Sequence, residues 1–300
     1  MIILKLNINL IGSLKMRKLD KKIVLTLIMI MIVTINIVFV TRFETNNKIH
    51  IVTNIAKATL DERIKSRSKI MFTFDDGLQS VYNNVTPILT ANNQRATVYV
   101  ITNIVNVCSS TSSIEWCSRY MNWSELANIY NLGWDISSHT STHPYLSRLD
   151  KKDLNTELAD SYINLTAHGF IRSAKFIAYP YGDYNDNIIN AVKSNGYLMG
   201  RTIEVRKNFS HLSVDDPDDL YYKMTVNYLG NMTTMTYFMS WVNQTIEEKG
   251  AMIFWTHDVA DNSSGTNIST FRQMSNYVAS RSADVDVVTM SEYYNYLKSR

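Results

Sequence analysis

The chain is poor in cysteine, proline, glycine and charge. Of 300 residues, two are Cys, four Pro and ten Gly, and 19% are charged. Each shortage excludes something. Two cysteines without Cys-x-x-Cys spacing leave no cysteine metal site and no dithiol redox motif. No Pro- or Gly-rich linker interrupts residues 68–297, so that stretch reads as one domain. The low charge, beside 45% hydrophobic and 11% aromatic residues, excludes disorder over most of the length. The basic excess is local: residues 1–41 hold six Lys/Arg and one acid, leaving 24 basic and 26 acidic residues over 42–300. The body therefore has no concentrated basic face and gives no support to nucleic-acid binding.

One long hydrophobic run is present. Ile23 to Thr41 is a stretch of 19 residues without a charge. About 20 apolar residues span the ~30 Å core of a bilayer as a helix. Lys15, Arg17, Lys18, Lys21 and Lys22 lie just before it, which places the N-terminus in the cytoplasm and residues 42–300 outside. The exit VFVTRFETNN offers no small-residue cleavage site, so the run reads as an anchor rather than a cleaved signal. The expected organisation is a basic cytoplasmic lead (1–22), a transmembrane anchor (23–41), a polar stalk (42–67) and a folded domain (68–297). Cys108 and Cys117 fall on the outer side, where disulfides persist, and a bond between them would close a loop over SSTSSIEW.

Strand-like and helix-like stretches alternate within the domain. KIMFTF (69–74), ATVYVI (96–101), WDISSH (134–139), KFIAYP (175–180), MIFWTH (252–257) and VDVVTM (285–290) read as strands. Leu78–Ala91, Trp123–Leu132 (with Ser124 as a candidate cap), Lys151–His168, Asn185–Ser194 and Ser291–Lys298 read as helices. Such alternation predicts an α/β fold with a parallel sheet, open or closed into a barrel. The unusual polar residues sit just past strand C-terminal ends: Asp75–Asp76, His139–His143, Pro180–Tyr181 and His257. Parallel α/β folds build their sites at that edge.

Asp-Asp-Gly alone is an ordinary turn. His139 and His143, four positions apart, are expected on one side of a helical turn, where two imidazoles can share a metal. One Asp and two His supply three N/O ligands and leave a position open for water, the pattern of a catalytic rather than a structural zinc-type site. A metal there lowers the pKa of its water and polarises a carbonyl. A second carboxylate can take the water's proton, and a further His can protonate a leaving amine.

At these residues the chain resembles the polysaccharide deacetylases, the NodB-homology group of carbohydrate esterase family 4. The matching strings, in order, are FTFDDG (72–77), SHTSTHPYL (138–146), AYPYGDYN (178–185), IFWTHDV (253–259) and VVTMSEYYNYL (287–297), and the resemblance covers about 68–297. It implies a distorted (β/α) barrel and hydrolytic N-deacetylation of an N-acetylhexosamine polysaccharide outside the cytoplasm. It implies Asp75 as general base, Asp76, His139 and His143 as metal ligands, and His257 as general acid. Zn2+ is the implied metal, with Co2+ or another divalent ion as substitute. The Tyr181 N–H would stabilise the oxyanion, with Pro180 and Trp255 lining the substrate pocket.

Three departures from the family pattern stand out. The third motif often begins with Arg, which orients the catalytic Asp; here that position is Ala178, and Arg201, placed after the next strand, is the candidate substitute. Trp255 replaces the usual Leu of the last motif. The Asp-Trp-type element that tunes the acid His is not recognisable in 202–235. These changes leave room for another amide or acyl substrate, or for an inactive sugar-binding protein. Trp116, Trp123 and Tyr120 are candidates for stacking on sugar rings, with rim or core packing as the rival reading. His50, His168 and His211 read as non-catalytic.

Overall fold

The structure, a computed structural model, describes residues 21–65, 67–111, 113–205, 220–261 and 264–299. The basic residues up to position 20, His211 and the stretch 206–219 of the fourth-motif segment lie outside the described residues. The chain divides into two units, residues 1–65 and 66–300.

In the first unit, one helix, α1, runs from Lys21 to Lys65. It carries both the expected anchor and the expected stalk without a break. Met29–Ile55 is the portion long and apolar enough to cross a membrane. It overlaps the sequence-based span but reaches further toward the C-terminus. Several short polar residues in this portion bond back to their own helix. Thr34 donates to the Met31 carbonyl, Asn36 to Ile32 and Thr41 to Ile37, each at 2.9 Å. Such back-bonding is what lets short polar side chains sit in an otherwise apolar helix.

The second unit is a parallel barrel. Its strands are β1 (Ser68–Phe74), β2 (Thr97–Val100), β3 (Asp135–Ser138), β4 (Phe176–Ala178), β5 (Met199–Val205), β6 (Met224–Tyr228), β7 (Ala251–Thr256) and β8 (Val285–Val287). Strands β1 to β7 pair in chain order, and β1–β2 pairing closes the ring (Thr73↔Thr97, Phe74↔Val98). The eighth strand stands outside that ring. β8 pairs with the start of β1 (Ser68↔Val285, Ile70↔Val287), so β8 and β2 share one edge of β1 between them. The barrel is irregular elsewhere too: β3 meets β4 only at Ser138↔Ile177, and the β5–β6 register shifts between Arg201 and Val205.

Residues two apart along a strand share a face. Met71, Tyr99, Phe176, Ala178, Met199, Met224, Val226, Ala251 and Ile253 form one buried cluster inside the ring, joined by Met290 and Tyr293. The alternate positions Ile70, Phe72, Phe74, Val98, Met252 and Phe254 pack into an outer cluster under the helices. The same alternation carries inward-facing positions on to the strand ends, where Thr73 is followed by Asp75, Ser137 by His139, Met199 by Arg201 and Trp255 by His257. The barrel thus converts a period of two into a ring of polar side chains at one mouth.

The helices are α2 (Thr86–Ala91), α3 (Thr102–Ser110), α4 (Trp123–Asn131), α5 (Lys151–Ala167), α6 (Asp186–Ser194), α7 (Met235–Glu247), α8 (Ile268–Ser280) and α9 (Met290–Lys298). Several boundaries correct the sequence reading. The helix expected over 78–91 is a π-turn (Val81–Val85) running into α2. The cap of α4 is Asn122, not Ser124: Asn122 accepts from the Glu125 N–H and Glu125 returns the bond, a capping box. VDVVTM is strand only to Val287, because Thr289 caps α9 in a second capping box with Glu292. Arg201 lies within β5 rather than after it. β6, α3, α7 and α8 were not foreseen.

Candidate active site

The Asp75–Asp76–Gly77 turn ends β1. Adjacent residues of an extended strand point to opposite faces, yet both carboxylates here approach one imidazole. Asp75 Oδ2 lies 4.0 Å and Asp76 Oδ1 3.6 Å from His139 Nε2. The reversal comes from the backbone: Asp76 has φ 68° and Gly77 φ 74°. Glycine is required at 77, since a Cβ there would meet Val100 Cγ1 at 3.0 Å.

His139 ends β3, and its Nδ1 bonds the Ala178 carbonyl at 2.8 Å. A carbonyl only accepts, so Nδ1 carries the proton and Nε2 keeps its lone pair. His143 is reached not through a helical turn but through a loop with left-handed residues at Thr140 and His143, each φ 64°. Glu157 of α5 holds that loop, accepting from Ser141 N (2.9 Å), Thr142 N (2.8 Å) and Thr142 Oγ1 (2.6 Å). The two His Nε2 atoms come to 3.1 Å, and His143 Nε2 lies 3.8 Å from Asp76 Oδ1.

These three groups fit a divalent metal. Their ligand atoms lie within 4.8 Å of one another. Asp76 Oδ1 is buried with no hydrogen-bond partner, an orphan that a cation would satisfy. Two imidazole nitrogens bound at about 2.0 Å to one tetrahedral ion stand about 3.3 Å apart, close to the spacing seen here. Burial holds His139 below the usual imidazole range against the raising effect of Asp75 and Asp76. Burial and the neighbouring His139 lower His143 to about 4. Both rings are therefore in the neutral, ligating form near pH 7.

Asp75 is fully buried. Burial pushes its carboxyl up, but Arg201, His139 and His257 together outweigh burial and hold it below the ordinary carboxylate range. Arg201, itself buried, donates Nη2 to Asp75 Oδ1 and Nη1 to the Thr202 carbonyl. Its guanidinium lies 5.2 Å from the rings of both Tyr99 and Trp255. Trp255 also meets His257 at 5.1 Å in edge contact, so the unusual Trp touches both the guanidinium and the imidazole.

Pro180 and Tyr181 follow β4 in a short 3-10 turn, with Tyr181 at φ 59°. Of six non-glycine residues with positive φ among the described residues, Asp76, Thr140, His143 and Tyr181 cluster here. Each costs on the order of 1–3 kcal/mol, and such strain collects at functional sites. Tyr181 is half exposed and stacks on Tyr145 at 4.0 Å and 11°, while His143 meets its ring at 4.5 Å. Arg148 caps the other end of the stack, 4.1 Å over Tyr145. The Ser147 N–H donates to Asp183 Oδ2 at 2.7 Å and ties the same two loops together. Tyr145 and Glu157 escaped the sequence reading. Tyr145 lay inside the quoted SHTSTHPYL string; Glu157 gives no local signal, because its partners lie 15 and 16 residues away.

Cys108 and Cys117 are joined by a disulfide. Trp123 is stacked on His168 at 3.9 Å and packs at the rim of the outer core. His168 also bonds the Asn164 carbonyl through Nδ1.

Fold and site together define a parallel (β/α) barrel with an Asp–His–His cluster and a second, arginine-backed carboxylate at the C-terminal mouth. Residues 62–200 match the polysaccharide deacetylase family model. A poly-beta-1,6-N-acetyl-D-glucosamine N-deacetylase of Staphylococcus epidermidis is 30% identical over 161 residues, covering 49% of this chain and 54% of that one. The Staphylococcus aureus protein of the same name is 29% identical over 151 residues, covering 46% and 49%. The chain thus spans about half the length of the curated relatives it matches. Among solved structures, one from Mycobacterium smegmatis aligns at TM-score 0.59 and 14% identity, over 78% of this chain and 91% of that one. The Xyl-CE4 domain of a xylanase from the Trinervitermes trinervoides hindgut metagenome aligns at TM-score 0.50 and 18% identity, over 77% and 92%. At these identities the two structures speak for the fold alone.

Proposed function

We propose that the barrel unit is a metal-dependent hydrolase that removes acetyl groups from the N-acetylhexosamine units of an extracellular polysaccharide. We further propose that α1 anchors it in a membrane, with residues 42–300 outside. The observation that carries the reading is the Asp76–His139–His143 cluster with a separate, arginine-held carboxylate, Asp75, beside it. The S. epidermidis and S. aureus relatives supply the favoured polymer class, a β-1,6-linked N-acetylglucosamine chain.

A divalent cation held by Asp76, His139 and His143, zinc first and cobalt as substitute, would supply a Lewis acid and a water of lowered pKa. The chain's own groups divide the remaining work. Asp75 has Oδ1 engaged by Arg201, which leaves Oδ2 on the side of the ligand cluster to accept the proton of the attacking water. Asp75 stays ionised because Arg201 offsets the cost of its burial. The Tyr181 N–H, presented by a left-handed residue between Pro180 and Gly182, is the donor for the oxyanion. His257, at the end of β7, passes a proton to the departing nitrogen, so that water and amide become acetate and amine. Trp255 and Pro180 close the acyl pocket. Arg201 does for Asp75 what the family's third-motif arginine does from the position occupied here by Ala178.

The test is acetate release from β-1,6-linked N-acetylglucosamine oligomers by the full chain in detergent. Activity that vanishes on chelation and returns with zinc supports the reading. A folded, zinc-loaded protein that frees no acetate from any N-acetylated oligomer removes it.

A further inference from the structure

The disulfide loop between α3 and α4 has no role in the chemistry described above, yet it is built onto the reacting turn. Cys108, in the last turn of α3, is bonded to Cys117 in a 3-10 turn, Glu115–Arg119. Just past Cys117, the chain is fastened to Gly77 and Leu78, at the end of the Asp75–Asp76–Gly77 turn. The Met121 N–H donates to the Gly77 carbonyl at 2.9 Å, and Leu78 pairs with Tyr120 in an isolated antiparallel bridge. Tyr120 lies in the field of Asp76, whose charge adds to burial in pushing its phenol up. The Tyr120 ring in turn meets Trp116 edge-on at 5.9 Å.

Trp116 is 44% exposed. The other tryptophans are less exposed: Trp123 stacks on His168, Trp134 is buried against Phe74, Trp241 packs near Phe254, and Trp255 lies by Arg201. A single exposed aromatic is ordinary. An exposed indole on a covalently braced loop, one ring removed from a candidate metal ligand, is a different matter. Loops fixed on a rigid scaffold beside a site carry binding groups. A large flat side chain offers an apolar face at little entropic cost.

We propose that this loop is a substrate-binding lip. Trp116, with Tyr120 beside it, stacks on the C–H face of a hexopyranose flanking the sugar that loses its acetyl group, and the Cys108–Cys117 bond holds the indole in place. The proposal rests on the reading of the site as a polysaccharide deacetylase. It adds a subsite that makes recognition of a polymer, rather than of a single sugar, dependent on an oxidised disulfide.

The experiment compares the full-length, zinc-loaded chain in detergent with Trp116→Ala, Trp116→Phe and the paired Cys108→Ser/Cys117→Ser variant. Each is assayed on a β-1,6-linked N-acetylglucosamine hexamer and on 4-nitrophenyl acetate. In Trp116→Ala and in the double serine variant, the ratio of kcat/KM for hexamer over ester falls about three- to tenfold, through KM, and Trp116→Phe restores most of it. Calorimetric binding of the hexamer to the chelated protein weakens by the same factor, a readout that needs no turnover. An unchanged ratio and an unchanged Kd overturn the lip alone. A wild type that cleaves the ester but neither binds nor deacetylates any oligomer overturns the lip and the polysaccharide reading together.

Discussion

Ala178 and Arg201 are partners in register across the parallel strands β4 and β5. The position that holds the supporting arginine in the family pattern and the residue that contacts Asp75 in this chain are therefore neighbours on one inner face of the barrel. An arginine moved one strand sideways still reaches the same carboxylate. Both side chains are buried, so the space that Ala178 vacates is interior space beside the Arg201 site. Under the proposed function, Arg201 stands in for the Arg missing at 178.

The first prediction follows. Arg201→Gln lowers kcat about 10- to 100-fold while bound zinc stays near one per chain, because the guanidinium orients the base rather than the metal. Removing one partner of a buried pair also costs about 3–5 kcal/mol, or roughly 10 °C in Tm for a domain of this size. Arg201→Lys rescues poorly, since an ammonium lacks the planar fork. Moving the residue, Ala178→Arg with Arg201→Ala, recovers part of the rate. Steady-state kinetics with metal analysis checks all three variants, and an Arg201→Gln protein with wild-type kcat would set the arrangement aside.

The two aspartates, though adjacent, separate by phenotype. Asp75→Asn retains zinc and loses about 10²- to 10⁴-fold in kcat, the usual worth of a general base. Asp76→Ala and His139→Ala lose both zinc and turnover. Metal content after dialysis distinguishes the classes, and a zinc-free Asp75→Asn protein would exchange the two roles.

Tyr145 touches no reacting atom in the proposed scheme but props Tyr181, whose left-handed backbone carries the oxyanion donor. Tyr145→Ala lowers kcat about two- to tenfold with zinc affinity retained, while Tyr145→Phe, which keeps the stack, behaves as wild type. If Tyr145→Ala raises only KM, the ring is a substrate contact rather than a prop.

Asp135 stands at the opposite end of the barrel. It is buried at the start of β3, where it accepts the Ser291 N–H at 2.7 Å, the Ser291 hydroxyl at 3.0 Å and Arg172 Nε at 3.1 Å. Asp135→Ala strands those donors at about 2–4 kcal/mol and lowers Tm by roughly 5–15 °C by calorimetry. The rate at 25 °C stays unchanged.

Much of the site was legible because its signals are local. Asp75–Asp76–Gly77, His139–His143 and Pro180–Tyr181 lie within single short strings at strand ends, and strand periodicity alone places their neighbours on the inner face. The errors have physical causes. His139 and His143 suggested a helical turn because i, i+4 spacing is ambiguous, whereas two left-handed residues and Glu157 deliver the same proximity from a loop. Arg201 was placed just past its strand because the β-branched continuation into Ile203 and Val205 extends β5 where the apolar pattern stops. Tyr145 becomes important only through its contact with Tyr181, 36 positions on. α7 and α8 do carry caps, Thr234 and Asn267, but in a chain rich in Asn and Thr such residues mark no boundary by themselves, and packing decides both helices and β6.

The sharing of β1 between β7, β2 and β8 orders events in time. Lys69 pairs with Asp286 across 217 residues, so the first strand of the barrel waits for the last. A chain made from its N-terminus holds the two aspartates on a strand with one open edge until residues 251–256 have been made. Contacts so distant in sequence form slowly. Closure around the reacting turn therefore waits for β7, and a chain arrested before residue 251 carries its two aspartates without the ring that would put them to use.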